Sequence, residues 1–208
     1  MALTVLLTGF GPFPGAPSNP TDPLVRRLAR WRRPVLSDVR LVPHIFPTRY
    51  RAVDRELPRL VAELKPDAVL MFGLSGKASC LRVETRARNS ISALIHDAAG
   101  EPSPAYCIVP GGPAALAFDL PAARMALAAR RMRAEAAISR DAGRYLCNYL
   151  CWRAIETAKR PGGPKLVAFI HVPRRGKKGW HLADMLRGAE AILLAAVAET
   201  RRRRMKKT

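Results

Sequence analysis

The chain contains few acidic and few aromatic residues, and it has no long hydrophobic run. Asp and Glu number 16 against 36 Lys and Arg in 208 residues, so the formal net charge is +20. Such a basic surface attracts nucleic acid whatever its base sequence. Aromatic residues, however, make up only 6% of the chain, and their placement does not suggest a surface on which bases stack. We therefore expect no nucleic-acid partner beyond nonspecific electrostatic contact.

The apolar start of the chain, residues 1–7, lacks a positive flank and runs directly into a segment rich in Gly and Pro. It is too short for a transmembrane helix and does not have the pattern of a signal peptide. We expect a cytoplasmic protein with no membrane partner.

Cysteine is also sparse. The four cysteines form no CxxC pair and have no histidine at zinc-ligand spacing; they are Cys80, Cys107, Cys147 and Cys151. In a reducing compartment such residues are free thiols, not disulfides or metal ligands. A reactive role for one of them stays open.

The sequence does contain enough apolar residues for a core, since they make up 49% of the chain. This content excludes a histone-like arm or a disordered basic chain. Residues 201–207 carry six positive charges without apolar periodicity. We expect one domain over residues 1–200 and a basic, mobile tail over residues 201–208. The tail is interpreted as a solvated end, with transient contact to RNA or anionic lipid as the alternative.

Short apolar runs alternate with longer helical patterns, which favours an α/β architecture. We predict a single-domain three-layer sandwich of the phosphorylase/hydrolase-like kind, with a twisted mixed sheet flanked by helices. Residues 81–89 alternate in the manner of an exposed strand, and a short strand is possible at 106–109. The other predicted strands span residues 3–8, 39–42, 68–72, 136–139 and 166–172, and the predicted helices span residues 23–31, 50–64, 121–133, 146–159 and 182–199.

The loop after the first strand carries two phenylalanines, Phe10 and Phe13. Its Gly-Phe-Gly sequence suggests a dinucleotide-binding turn, but Pro12 and Pro14 stand where the helix of that motif begins. Two rings in a proline-stiffened loop at a strand end fit an apolar slot for a small flat group. The alternative is that both rings anchor the loop to the core.

Three residues have the chemistry of a nucleophile, a base and an orienting carboxylate. Cys147 begins a predicted helix, whose dipole and unpaired N–H groups favour the thiolate. His171 ends an apolar strand at the rim of the sheet, and Glu84 lies in the alternating strand. Each also has a structural interpretation, as a small buried thiol, a hydrogen-bonded edge histidine and a solvated glutamate.

Four blocks of sequence together carry a resemblance to one enzyme family. They are Thr8-Gly9-Phe10-Gly11-Pro12-Phe13 followed by Asn19-Pro20, Phe72-Gly73-Leu74-Ser75-Gly76 followed by Glu84 and Asn89, Ala142-Gly143-Arg144-Tyr145-Leu146-Cys147-Asn148-Tyr149-Leu150, and Phe169-Ile170-His171-Val172-Pro173. From residue 5 to about residue 197, the chain resembles the pyroglutamyl-peptidase I family of cysteine peptidases, also called pyrrolidone-carboxylate peptidases.

The resemblance implies a cysteine exopeptidase that hydrolyses the N-terminal pyroglutamyl residue from peptides. In that family the matching glutamate, cysteine and histidine form the catalytic triad, which implies Glu84, Cys147 and His171 here. The resemblance also implies peptide substrates, no metal or organic cofactor, and a homo-oligomer of two or four chains.

The family's first loop holds the lactam ring, which implies that Phe10 and Phe13 enclose the ring and that Asn19 helps to hold the loop. Leu74 stands where the family has a glutamine, so a side-chain hydrogen bond is lost there although backbone contacts to the lactam can persist.

A second departure concerns the oxyanion. The family places an arginine ten residues after the catalytic glutamate, and this chain has Leu94. Losing one oxyanion donor costs on the order of 10²- to 10³-fold in rate. Arg86, Arg88 and Arg144 are candidates to compensate. The alternative functions are therefore a same-fold hydrolase or weakly active homologue with shifted acyl or lactam specificity and, after it, a basic nucleic-acid-binding protein.

Overall fold

A six-stranded sheet forms the centre of the computed structural model, which describes residues 2–92, 94–102, 106–176 and 180–206. The strands of those ranges are β1 (Leu3–Phe10), β2 (Val39–Phe46), β3 (Ala68–Leu74), β4 (Leu81–Glu84), β5 (Arg86–Arg88), β6 (Ala115–Ala117), β7 (Ala136–Ser139) and β8 (Leu166–Val172). The helices are α1 (Thr21–Ala29), α2 (Tyr50–Leu64), α3 (Ala122–Arg131), α4 (Leu146–Lys159) and α5 (Leu182–Met205).

The sheet is mixed, as predicted. Its strand order is β2-β1-β3-β8-β4-β7. The first four strands of that order run parallel to one another. β4 pairs antiparallel with β8, and β7 follows the direction of β4. Strands β5 and β6 form a separate antiparallel pair beside the sheet.

Helices cover both faces of the sheet, which confirms the predicted three-layer arrangement. Leu3, Val5 and Leu7 of β1 belong to the core that contains α1, α3 and α5, whereas Leu6 belongs to the core that contains α2 and α4. The neighbouring side chains of a strand point to opposite faces. Strands that are buried on both faces are mostly apolar along their length, which explains the predominantly apolar sequences of β1, β3 and β8.

The prediction of an exposed strand over residues 81–89 was wrong. The segment forms two strands, and β4 lies inside the sheet between β8 and β7. Leu81 and Val83 are buried in the α3 and α5 core, and Glu84 is fully buried on the opposite face. The second face of β4 is therefore partly covered as well, since Glu84 is buried there and Arg82 is partly exposed.

The short strand that was predicted at residues 106–109 does not form. Asn89 binds this segment instead, because its Oδ1 accepts the N–H groups of Ile108 at 2.8 Å and Val109 at 2.9 Å. The strand that pairs with β5 is β6, a few residues further along the chain.

The C-terminal segment also differs from the prediction of a mobile tail. Helix α5 continues to Met205, and the arginines of its last turns bind acidic groups. Arg202 and Arg203 both bind Glu199. Three further ion pairs join Arg201 to Asp38, Arg203 to Asp119 and Arg204 to Asp67. Paired in this way, the basic side chains extend the helix despite their mutual repulsion. Residues 207 and 208 lie outside the described residues.

Within the described part of the chain, no helix combines the length and the apolar character needed to cross a membrane.

We expect Glu199→Gln to destabilise the fold at neutral pH by about 1 to 3 kcal/mol, because it leaves two arginines without their shared partner. Hydrogen bonding from Arg202 lowers the pKa of Glu199 to about 2, with a contribution from Arg203 and against the effect of burial. A carboxylate with a lowered pKa stabilises the fold above its ordinary pKa, and that stabilisation is lost as the pH falls toward about 2. Thermal melts of the parent and the variant should therefore differ most at neutral pH and converge in acid. A difference that stays constant down to pH 2 would contradict the assignment.

Candidate active site

Cys147 lies at the beginning of α4, as the sequence predicts. The chain turns into this helix at Gly143, whose φ of +83° is in the left-handed region that favours glycine. The N-cap residue, Tyr145, makes no side-chain hydrogen bond to the first turn. Backbone N–H groups of a first turn have no partner within the helix. The partly exposed thiol of Cys147 therefore stands among donors that no capping side chain occupies.

His171 and Glu84 are joined by a hydrogen bond between neighbouring strands. His171 Nδ1 lies 2.8 Å from Glu84 Oε1, and both side chains are almost completely buried. Glu84 is opposite Phe169 in the register of β4 and β8, so it shares a sheet face with residues two apart along β8, including His171. The pairing fixes which ring nitrogen faces the carboxylate and leaves the other nitrogen for the thiol.

Gly73 makes room for the thiol beside the histidine. It is the partner of His171 in the register of β3 and β8. An ideal Cβ at this position would lie 2.8 Å from Cys147 Sγ and 2.5 Å from Phe169 Cζ, closer than real Cβ atoms approach. The missing side chain of Gly73 therefore lets α4 place its thiol directly against the sheet. The structure thus brings Cys147, His171 and Glu84 together.

The charge state of His171 depends on both of its neighbours. Burial disfavours the imidazolium, but hydrogen bonding and charge from Cys147, and then from Glu84, outweigh burial and raise the pKa of His171 to about 9. Below that pH the ring holds a proton between two acidic groups.

The surroundings of Glu84 include groups that the sequence analysis missed. The backbone N–H of Asp141 donates to Glu84 Oε2 at 3.2 Å. Arg82 Nε lies 3.8 Å from Glu84 Oε1, and Arg82 Nη2 donates to Ser139 Oγ at 2.5 Å. The available signal was the two-residue spacing of Arg82 and Glu84, which places both side chains on one face of a strand.

Cys151, one helical turn after Cys147, is a contrasting thiol. It is fully buried, and burial together with the charges of Cys147 and Glu84 raises the pKa of its thiol well above the ordinary value. A neutral buried thiol is not a nucleophile at ordinary pH. The helix therefore presents one partly exposed cysteine, Cys147, and one buried, inert cysteine, Cys151.

The two phenylalanines of the first loop have different surroundings. Phe10 ends β1 and is buried against Phe46, with ring centroids 6.1 Å apart. Phe13 is half-buried, and its ring centroid lies 6.4 Å from that of Tyr145. Asn19 is buried below the loop, where its Nδ2 donates to the Gly11 carbonyl at 3.1 Å. Phe10 thus packs into the core, and Phe13 is the ring that remains accessible.

Tyr145 is another residue that the sequence analysis missed. Its ring lies between Phe13 and Tyr50, which it meets edge-on at a centroid distance of 6.0 Å. Burial, with the charges of Asp97 and Cys147, raises the pKa of Tyr145 to about 12. The position two residues before Cys147 was the available signal. An uncharged aromatic wall therefore adjoins the thiol.

The two departures from the family pattern have different surroundings. Leu74 ends β3 directly after Gly73 and is half-buried. Leu94 is 94% exposed. The residues around Leu94 are tied to the start of α4, since the Ser92 N–H donates to the Arg144 carbonyl at 2.8 Å and Tyr145 Oη donates to the His96 carbonyl at 3.0 Å.

The arginines that were candidates to compensate for Leu94 have other partners or lie in solvent. Arg86 Nε donates to the Arg140 carbonyl at 2.7 Å, and Arg88 Nη2 lies 3.8 Å from Asp141 Oδ2. Arg144 is exposed. Over the described ranges, no group of three or more His, Cys, Asp or Glu side chains is arranged to hold a metal ion.

Comparisons with known proteins point to one family. A family model described as pyroglutamyl peptidase matches residues 3–179. The pyrrolidone-carboxylate peptidase of Pseudomonas fluorescens is 34% identical over 203 residues, which cover 92% of this chain and 92% of that protein. The protein of the same name from Pyrococcus furiosus is 33% identical over 171 residues, which cover 82% of this chain and 81% of that protein. The solved structure of pyrrolidone carboxyl peptidase from Thermococcus litoralis matches with a TM-score of 0.88 and 27% identity, over 96% of each chain.

We expect Cys147→Ala to lower the pKa of His171 below about 9, because the variant loses the hydrogen bond and the charge of the thiol while burial still disfavours the imidazolium. Glu84→Gln should act in the same direction. The imidazole resonances of His171 in an NMR pH titration measure the change. Cys151→Ala is the matched control, since this thiol is fully buried one turn along the same helix. An unchanged titration of His171 in Cys147→Ala would contradict the proximity of the two groups.

Proposed function

The chain belongs to the pyroglutamyl peptidase family, and from this premise we propose that it hydrolyses the bond after an N-terminal pyroglutamyl residue with Cys147 as nucleophile. The observation that carries the proposal is the pair of contacts of His171, to Glu84 on one side and to Cys147 on the other. A nucleophile next to a base that is itself oriented by a third group is the arrangement that acyl transfer requires.

In the first half of the reaction, the Cys147 thiolate attacks the carbonyl carbon of the pyroglutamyl residue, and a carbon–sulfur bond forms. The negative charge moves to the carbonyl oxygen, where the uncapped N–H groups of the first turn of α4 can donate to it. His171 then gives its proton to the nitrogen of the leaving peptide as the carbon–nitrogen bond breaks. The products of this half are a thioester on Cys147 and a shortened peptide.

In the second half, neutral His171 accepts a proton from water while the water oxygen attacks the thioester carbon. The carbon–sulfur bond breaks, pyroglutamate leaves as the free acid, and the thiolate–imidazolium pair is restored. Glu84 holds the ring orientation throughout and stabilises each imidazolium that forms.

Substrate recognition in this proposal rests on the first loop and on the residues beside the thiol. Phe13 and Tyr145 supply an uncharged wall for the neutral lactam ring, and Phe10 supports it from the core. The hydrogen bond from Asn19 to Gly11 holds the loop that carries both phenylalanines. Leu74 adds apolar surface and leaves recognition of the lactam amide to the backbone.

We also propose a cytoplasmic protein that assembles into dimers or tetramers. The support for the first point is the set of four free cysteines, which suits a reducing compartment. The support for the second point is the resemblance described above, and light scattering of the purified protein tests it.

The proposed activity predicts that the protein releases aminomethylcoumarin from a pyroglutamyl-coumarin substrate but not from the prolyl or alanyl analogues. Cys147→Ala should abolish release, because no other group of the site can form the thioester. Cys151→Ala, four residues along α4, is the matched control and should keep most of the activity if its thermal melt shows a folded protein. Turnover of the pyroglutamyl substrate that survives Cys147→Ala would overturn the assignment of the nucleophile, and no turnover in the parent would overturn the substrate.

We expect Leu94→Arg to raise kcat. The exposed Leu94 side chain leaves room for a guanidinium, and its flanking segment is tied to the start of α4. One added oxyanion donor should raise kcat by about 10- to 100-fold, with a smaller effect on KM. Leu127→Arg adds the same charge at an exposed apolar position of α3 and should leave kcat unchanged. Equal effects of the two variants would mean that the added charge acts only at long range.

A further inference from the structure

Arg82 shares a buried carboxylate with the catalytic histidine, and the proposed chemistry leaves it without a role. In the antiparallel register of β4 and β8, Arg82 stands directly opposite His171. Arg82 and Glu84 are two residues apart in β4, so their side chains lie on the same face of the sheet as the imidazole. The Arg82 side chain is 29% exposed and therefore reaches from solvent into the site.

The guanidinium is held at two points. Its Nε lies 3.8 Å from Glu84 Oε1, the oxygen that also faces His171 Nδ1 at 2.8 Å. Its Nη2 donates to Ser139 Oγ at 2.5 Å. The same Ser139 oxygen accepts the Asp141 N–H at 3.2 Å. Arg82 is thus part of the network that surrounds the carboxylate, not a side chain that lies loosely on the surface.

The charges that surround Glu84 do not balance without Arg82. Helix α4 contributes Cys147 and the neutral Cys151, β8 contributes His171, and β4 contributes Arg82. The carboxylate of Asp141, whose N–H faces Glu84, is already paired with Arg88. In the reactive state the thiolate and the carboxylate carry two negative charges and the imidazolium carries one positive charge. A net negative charge in a buried site is costly unless a cation compensates it.

We propose that Arg82 is a positioning residue that fixes the Glu84 carboxylate beside His171 and neutralises the net charge of the reactive cluster, an inference that rests on the proposed cysteine-peptidase function. Because a nearby cation disfavours proton uptake by every group of the cluster, Arg82 extends the reactive state toward lower pH. A purely structural residue has no such effect on proton equilibria.

The test measures the rate at which iodoacetamide alkylates Cys147 as a function of pH, with the Cys147 peptide followed by mass spectrometry. The rate reports the thiolate and needs no substrate. In Arg82→Gln the midpoint of the profile should move to higher pH by about 0.5 to 1 pH unit. Arg82→Lys keeps the charge and should recover at least half of the shift. Arg26→Gln removes one cation from an exposed ion pair of α1 and should leave the midpoint unchanged.

An unchanged or lowered midpoint in folded Arg82→Gln overturns the inference, and so does an equal shift in Arg26→Gln. If Arg82→Gln does not melt cooperatively, Arg82→Met takes its place with the same expectation. The pH profile of kcat/KM on the pyroglutamyl-coumarin substrate is the second readout, and both of its limbs should move in the same direction as the alkylation midpoint. If the parent protein does not cleave the substrate but the alkylation midpoint still moves in Arg82→Gln, the proposed function is contradicted. The effect of Arg82 on the Cys147 thiolate is then supported.

Discussion

The hydrogen bond between His171 and Glu84 is the interaction on which the site depends, and it follows from the reversal of strand direction between β8 and β4. Because β4 runs antiparallel to β8, its last residue, Glu84, pairs with Phe169 at the middle of β8. There the carboxylate loses all contact with solvent. A buried carboxylate needs hydrogen bonds or a compensating charge, and the Asp141 N–H, His171 and Arg82 supply them. The buried Glu84 carboxylate thus contacts groups from β4, from β8 and from the loop after β7.

The position of the thiol depends on a second constraint, which is the close approach of α4 to the sheet. The helix can approach because β3 carries glycine at the point of contact, where any Cβ would collide with the sulfur. The helix then delivers the thiol and the unpaired N–H groups of its first turn in one rigid element. Such preorganised donors need no rearrangement when charge develops on the substrate. The glycine of β3 therefore leaves the space that the cysteine side chain of α4 occupies.

Much of the fold could be predicted from the sequence, because strong periodicity marks buried elements. The bounds of α2, α4, β7 and β8 agree with the prediction. The prediction failed where tertiary contacts decide the outcome. Alternation in β4 indicated one exposed face, but the sequence of the strand does not show that Glu84 on that face is buried by the rest of the fold. The end of α5 carried no apolar pattern, and the acidic partners of its arginines come from distant segments.

Part of the candidate site could also be predicted from the sequence, and part of it could not. The residues that carry reactive groups, Glu84, Cys147 and His171, could be proposed from residue type and family resemblance. The residues that support them could not be predicted. Gly73 matters because it has no side chain to collide with the thiol, and Arg82 matters because strand pairing places it opposite His171, which the sequence does not reveal. Tyr145 shows the same limit, since only the folded loops bring its ring between Phe13 and Tyr50.

The order of the strands has a consequence for synthesis in the cell. β8 lies between β3 and β4 but is made after both of them, and α5, which covers one face of the sheet, follows β8. Chains fold from the N-terminus as they are made, at roughly 5 to 20 residues per second. Until β8 and α5 emerge, β3 and β4 have no strand between them and apolar surface stays exposed to other nascent chains. The arginines at the end of α5 then bind acidic residues beside β2, β3 and α3, so this helix joins segments that are made long before it.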